Sequence, residues 1–281
     1  PGENFFVRPY LLPGENGGFG FNRQIPGSNE IIFAGGTTWA FLGMRKQYIF
    51  LLLLSYTANL ASATGGSKVR ELALLAKTWG LLKYYHPGIA QGAQDWDSVL
   101  VASLERVLPN SRPGQVGKEV DRLLLLAGEN SSPALQRRTR TVHMDRNYDV
   151  SWIGRDRLLS AAQRRLLLHT VDHPFQGHNF YAHPNPDNDR TVFTPNEKPY
   201  PEMLHPDASY RLLSLFRFWN VVQYFYPYKY AIGRKWDTVL QELIPQMIEA
   251  GDTASYHRAL ARMSSSINDS HGSLWPGVFE T

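Results

Sequence analysis

The residues best suited to chemistry in this 281-residue chain stand near its end, in the run Asn268-Asp269-Ser270-His271-Gly272. An imidazole titrates near neutrality, so His271 can act as a general base for a nucleophile held within hydrogen-bond reach. Ser270 is its immediate neighbour, and adjacent side chains diverge, so the two do not make a nucleophile–base pair with each other. The competing reading is a helix-terminating turn in which Asp269 and Ser270 bond nearby backbone. Other signatures are missing: there is no Gly-x-Ser-x-Gly elbow, Ser-x-x-Lys, phosphate-binding loop or Gly-x-Gly-x-x-Gly. With no cysteine, a thiol nucleophile, a thiolate zinc site, an iron–sulfur cluster and a disulfide framework are all excluded.

Five of the nine histidines, His169, His173, His178, His183 and His205, fall in one stretch dense in Pro, Asn and Asp. Their spacing fits neither a His-Glu-x-x-His helix nor a two-Cys two-His finger, and the prolines prevent their alignment on one helix face. They read as loop histidines, and we expect no metal and no cofactor. The formal charge is +4. That excess is small and evenly spread, and the run Arg137-Arg138-Thr139-Arg140 is too short for a nucleic-acid footprint, so no nucleic-acid partner is expected.

The elements that position these residues come from an internal repeat, offset by 140 positions (Trp79 to Trp219). Leu75-Ala-Lys-Thr-Trp79-Gly-Leu-Leu-Lys-Tyr84-Tyr85-His86-Pro87, then Trp96-Asp97-Ser98-Val99-Leu100, matches Leu215-Phe-Arg-Phe-Trp219-Asn-Val-Val-Gln-Tyr224-Phe225-Tyr226-Pro227, then Trp236-Asp237-Thr238-Val239-Leu240. Leu72, Leu75, Ala76, Trp79, Leu82 and Lys83 recur at helical spacing, as do Leu212, Leu215, Phe216, Trp219, Val222 and Gln223. Pro87 and Pro227 should stop these helices. Asp95 or Asp97 should cap the next helix of the first copy, and Asp237 or Lys235 starts that of the second. The aromatic clusters (Tyr84, Tyr85, Trp96; Tyr224, Phe225, Tyr226, Tyr228, Tyr230, Trp236) fit either a peptide- or glycan-binding platform or helix–helix core. Helical spacing favours the core for Trp79, Trp219, Tyr84 and Tyr224.

Between the copies, Gln115–Ala127 and Ser160–His169 read as helices. Thr139–Asp145 and Tyr148–Ile153 are short alternating stretches that fit a small sheet element. The leucine runs after Arg122 and Arg165 read as buried helix. Pro133–Arg140 reads as a basic loop, Thr253–Met263 as a last helix and Ile267–Gly272 as a turn. The expected fold is mainly α, with two helical hairpin modules, 64–170 and 209–281, joined by a Pro/His-rich linker, 171–208.

Upstream, Met44-Arg-Lys-Gln47 and the apolar Tyr48–Tyr56, followed by Ala61-Ser-Ala63, have the layout of a secretory signal peptide, 44–63, cleaved before Thr64. The rival is a membrane anchor, but the apolar run falls short of the about 20 residues a span needs. No stable membrane span is therefore expected, and the destination is the periplasm or the exterior. Residues 1–43 show no period and read as upstream sequence or a disordered arm.

The repeated Trp/Tyr/Pro hairpin together with Asp269-Ser270-His271-Gly272 resembles the amino-terminal half of secreted bacterial peptidases of the tail-specific (carboxy-terminal-processing) serine protease family, over about 69–275. The resemblance implies that a PDZ-like domain and an α/β catalytic domain carrying the serine follow, and that both are absent from this chain. It implies a peptide or protein substrate engaged through those domains. In the tricorn-type branch the matching positions make His271 the catalytic base and Ser270 a supporting residue. In the lysine-using branch the turn histidine has no such role. Gly272 stands where the family usually has Thr. The alternative is a non-catalytic helical module binding peptide or glycan through aromatic residues.

Overall fold

The computed structural model describes residues 46–109, 114–135, 148–185 and 188–269. The protein is mainly helical. Among the described residues no helix is long and apolar enough to cross a membrane. The chain divides into two units at Gly65, and apart from the start of the first helix all that follows concerns the unit from Gly66 onward.

Helix α1 (Lys46–Tyr85) ends just before Pro87, which then opens the single turn α2 (Pro87–Ala90) at its first position. Proline suits that place because its missing N–H would be unpaired there in any case. Asp95 caps α3 (Trp96–Val107) by accepting from Ser98 N at 3.2 Å, which leaves Asp97 in the first turn, buried. Helix α4 (Gln115–Ala127) has the expected limits. A short turn α5 (Trp152–Arg155) and α6 (Ala161–Asp172) follow, the latter held at its start by a capping box between Ser160 and Gln163. The second copy runs through α7 (Ala208–Phe225), a 3-10 turn (Lys229–Ala231) and α8 (Trp236–Glu249), and α9 (Thr253–Ser265) packs on it.

Three expectations need correction. Tyr148–Ile153 is not a strand: Asp149 accepts from Ser151 N at 2.8 Å, and Trp152 and Ile153, both buried, open a turn of helix. Its proposed partner Thr139–Asp145 lies outside the described residues. The leucine runs are only half buried, since one face of each helix meets solvent: Leu123 and Leu167 are inside, whereas Leu125 is 80% exposed and Leu126, Leu166 and Leu168 also face out. The linker is no free connector. It carries a hairpin, β1 (His183–Asn185) antiparallel to β2 (Asn188–Phe193), and lies against the first copy through Phe175 N to Tyr85 O (2.7 Å), Asn179 Nδ2 to Tyr84 O (2.8 Å), Phe180 N to Ala90 O (2.8 Å) and Tyr181 OH to Gln94 O (2.8 Å).

The two copies share one hydrophobic core running from Leu72 to Ile267. Within each, the paired tryptophans clasp one another reciprocally. Trp79 Nε1 donates to Trp96 O (2.8 Å) and Trp96 Nε1 to Trp79 O (3.0 Å). Trp219 Nε1 and Trp236 O, and Trp236 Nε1 and Trp219 O, meet at 3.0 Å in the same way. Each clasp satisfies two buried indole donors while filling the hairpin interior, so hydrogen bonding and apolar burial act on the same residues.

Between the copies the contacts are also reciprocal. Lys77 pairs with Asp237, and its repeat equivalent Arg217 pairs with Asp97, the equivalent of Asp237. Tyr84 meets its own equivalent Tyr224 edge-on at 6.0 Å. When i touches j and the counterpart of j touches the counterpart of i, the arrangement has a local two-fold relation, as in an isologous dimer. The relation centres on the close crossing of α1 and α7. There Asn220 Nδ2 donates to Ala76 O (3.0 Å) and to the equivalent Phe216 O (2.8 Å). Gly80, opposite Asn220, permits this approach, because a Cβ there would lie 2.0 Å from Asn220 Oδ1.

Candidate functional site

The local two-fold generates two charged sockets at symmetry-related places, one on each side of the α1–α7 crossing. In the first, Lys83 is fully buried on α1, its Nζ 3.2 Å from Asp97 Oδ1 and 2.6 Å from Glu197 Oε1. Arg217 reaches across from α7 to Asp97 and lies 2.9 Å by Nε from Glu197 Oε2. Two cations and two carboxylates thus close a neutral ring. Glu197 sits within ion-pairing distance of both cations, but its oxygens lie off the N–H directions, so its contribution is charge more than aligned hydrogen bonding. Aromatic faces complete the enclosure: Lys83 Nζ is 4.6 Å from the Trp79 ring centre and 4.5 Å from that of Tyr181, and Arg217 stacks 5.3 Å from Tyr200.

The electrostatics follow from that enclosure. Burial alone would raise Asp97, but Lys83 and Arg217 outweigh it and hold its carboxyl below the ordinary value. Burial opposes the Arg217 charge, while Glu197 and Asp97 more than compensate. Burial and the nearby Asp97 push Tyr181 and Tyr200 up to about 12, so both remain neutral phenols. With every charge paired and the linker strap Thr194–Tyr200 lying over it, this socket is a lock that pins the linker to the scaffold.

The second socket is open. Lys77 Nζ donates to Asp237 Oδ2 at 2.7 Å and lies 5.9 Å from the centres of both Trp152 and Trp219. Gln223 occupies the position equivalent to Lys83, and Lys229 brings an ammonium to it, donating to Gln223 Oε1 at 2.8 Å and Gln223 O at 2.9 Å. Burial lowers Lys229 to about 8, with Asp149 and Asp237 acting the other way. Beyond these groups opens a cleft of about 1180 Å³, bordered by Arg70, Arg157, Arg234 and Lys235 and floored in part by Trp152 and Trp236.

The sequence-predicted site residues Ser270 and His271 lie outside the described residues. The residue before them is placed: Tyr226 OH donates to Asp269 Oδ2 at 3.0 Å, and Asn268 takes a left-handed backbone (φ 53°) on leaving α9. Burial and the Asp269 carboxylate raise the Tyr226 hydroxyl well above its ordinary value, so it stays a donor. Tyr226 closes the end of α7, which ties the entry to the turn to a rigid helix terminus. The aromatic clusters face inward: Tyr84, Trp96, Tyr226 and Trp236 are buried, and Tyr230, 45% exposed, is the exception among them. His169 and His173 stack at 4.0 Å and His178 tilts over His183 at 4.4 Å. Among the described residues no three His, Asp or Glu side chains converge to hold a metal ion.

Neither socket was recognised from the sequence. The available signal was charge kept in repeat register on otherwise apolar helix faces: Lys77 with Arg217, and Asp97 with Asp237. In comparisons with known proteins, no family profile, no curated protein and no solved structure matches the chain.

Proposed function

We propose that this chain is the amino-terminal helical scaffold of a secreted serine-type endopeptidase, with His271 as catalytic base, Ser270 in support, and the nucleophilic serine and a PDZ-like domain outside these 281 residues. The observation that carries the reading is the Tyr226–Asp269 contact. A catalytic base must be held within a fraction of an ångström by residues that are themselves fixed, and the first residue of the Asp-Ser-His-Gly run is anchored to the capped end of a core helix. Export belongs to the same proposal, with 44–63 as the signal peptide. The rival reading, a platform of exposed aromatics, loses support because Tyr230 is the one exposed member of those clusters and the rest are buried or half-buried.

Three measurements test it. The gene downstream of the Thr281 codon should continue in frame into a PDZ-like segment and an α/β domain. Protein expressed from Met44 and exported should begin at Thr64. In the intact parent protein His271→Ala should cut peptide turnover by two to four orders of magnitude, the usual worth of a general base, without loss of fold. Near-normal turnover of that variant would remove His271 from catalysis.

A further inference from the structure

The first socket shows how this scaffold holds an extended peptide. The strap Thr194–Tyr200 inserts the Glu197 carboxylate between Lys83 and Arg217. Its backbone is gripped as well, with Arg217 Nη1 donating to Lys198 O at 2.9 Å, and the next side chain, Lys198, pairs with Asp95 at the start of α3. One acidic residue seats deep, and the basic residue after it meets an acidic rim.

The local two-fold carries each of these partners to the second socket. Lys77 stands for Arg217 and Asp237 for Asp97. Gln223 stands for Lys83 and lacks its charge, but Lys229 supplies an ammonium at that place. Among the described residues no carboxylate lies within ion-pair distance of Lys229. At the rim the charge is inverted, because Lys235, which precedes α8, replaces Asp95. Arg70 and Arg157 add to the excess of positive charge along the cleft.

We propose that the cleft between α1, α7 and α8 binds an extended peptide segment carrying two successive acidic residues, the first seated between Lys77 and Lys229 and the second facing Lys235. The mode repeats that of the strap, with the preference at the second position reversed by the reversed rim charge. Burial has already lowered the Lys229 ammonium to about 8, so an incoming carboxylate restores a partner to a charge that desolvation penalises. A cleft of about 1180 Å³ accommodates several residues of chain, well beyond a single inorganic anion. The inference is independent of the peptidase reading, since binding needs no nucleophile.

The test uses the 281-residue protein and fluorescein-labelled heptapeptides that copy or vary the strap sequence: Thr-Pro-Asn-Glu-Glu-Pro-Tyr, Thr-Pro-Asn-Glu-Lys-Pro-Tyr and Thr-Pro-Asn-Gln-Glu-Pro-Tyr. Fluorescence anisotropy should show the Glu-Glu peptide binding at least tenfold more tightly than either of the others. Lys235→Asp, an exposed change, should invert the order in favour of Glu-Lys, with a melting temperature at or somewhat above that of wild type because aspartate also caps α8 as Asp95 caps α3. Lys77→Ala should weaken the Glu-Glu peptide about tenfold. Three results would overturn the proposal: no binding of the Glu-Glu peptide at 1 mM, an order of preference unchanged by Lys235→Asp, or displacement of the peptide by inorganic phosphate at equal concentration.

Discussion

Arg217, Asp97 and Lys83 sit under a strap that brings its own carboxylate, and the four charges cancel out of water. Lys77, Asp237 and Gln223, their counterparts, open onto a basic cleft, and Asp237 keeps nearly half of its side chain in solvent. Duplication gave the two places the same helices, the same tryptophan clasp and the same cross-copy ion pair. What differs is the segment that lies at each socket. Thr194–Tyr200 fills the first, whereas Asp149–Leu158 only borders the cleft at the second. The same pairing geometry is therefore structural on one side and available to a ligand on the other. Burial decides the energetics: a pair removed from water depends on each of its members, while a pair with one member half in solvent, as Asp237 is beside the buried Lys77, depends on them less.

The sharpest way to break the comparison is to attack what the two sides share. Trp79→Ala and Trp219→Ala each remove a fully buried indole and leave a carbonyl of the partner tryptophan without its donor. Truncating a buried Trp costs about 3–5 kcal/mol. The two losses should be equal within error if the copies are equivalent supports. His178→Ala, at an exposed linker position, should stay within ~0.5 kcal/mol. Urea unfolding of the three variants measures this, and a loss confined to one tryptophan would deny the equivalence.

The repeat was legible because its determinants are local in sequence. Prolines at equivalent positions end two helices, apolar residues recur at helical spacing, and Gln115–Ala127 shows its limits without tertiary help. The sockets were not legible, since Lys77 and Asp237 are 160 positions apart and meet only once the copies pack. Lys83 fell on the apolar face of its helix in the sequence pattern, and that misplaced charge was the visible trace of the first socket. The linker misled for a related reason. Its Pro, Asn and His content describes an irregular backbone correctly, but irregular backbone can still be anchored, as Asn179, Tyr181 and Glu197 are. Trp152 and Ile153 looked like alternation over too few residues to separate a strand from one turn of helix.

A second prediction separates the sockets directly. Asp97→Asn leaves Lys83 and Arg217 sharing Glu197 alone in a buried site, and breaking a buried pair in this way costs about 3–5 kcal/mol. Asp237→Asn removes a half-exposed carboxylate from the buried Lys77 and should cost less, about 1–2 kcal/mol. Because the folded-state pKa of Asp97 is depressed, its contribution is present above the ordinary carboxylate value of 3.8 and disappears as the pH falls through the lower, folded value. The difference between the two variants should accordingly narrow in acid. Equal costs at pH 7 would mean that the first socket is no more enclosed than the second.

The smallest effect concerns His86 and Tyr226, equivalent residues that follow the first helix of each copy. Tyr226 uses its position to hold Asp269, whereas His86 is buried, accepts from Gly88 N at Nδ1 (3.2 Å) and must stay neutral to do so. Burial and the neighbouring His169 lower His86 to about 4, against a smaller opposing effect of its hydrogen bond to the Gly128 backbone. The folded value lies below the unfolded one of about 6.5. Below pH 6.5 the unfolded chain therefore takes up a proton that the native state refuses, and stability falls as the pH drops from 6.5 toward about 4. At pH 5.5 the loss should be roughly 1 kcal/mol, from one pH unit of linkage. His86→Asn keeps an acceptor for Gly88 N and removes the titration, so its stability should be flat across this window while wild type declines. Tyr226→Phe, at the equivalent position, should leave the slope of wild type unchanged, because no proton is exchanged at a phenol in this range. Parallel pH profiles for wild type and His86→Asn, measured by thermal unfolding between pH 7 and 4.5, would show that His86 is not the group that opposes acid.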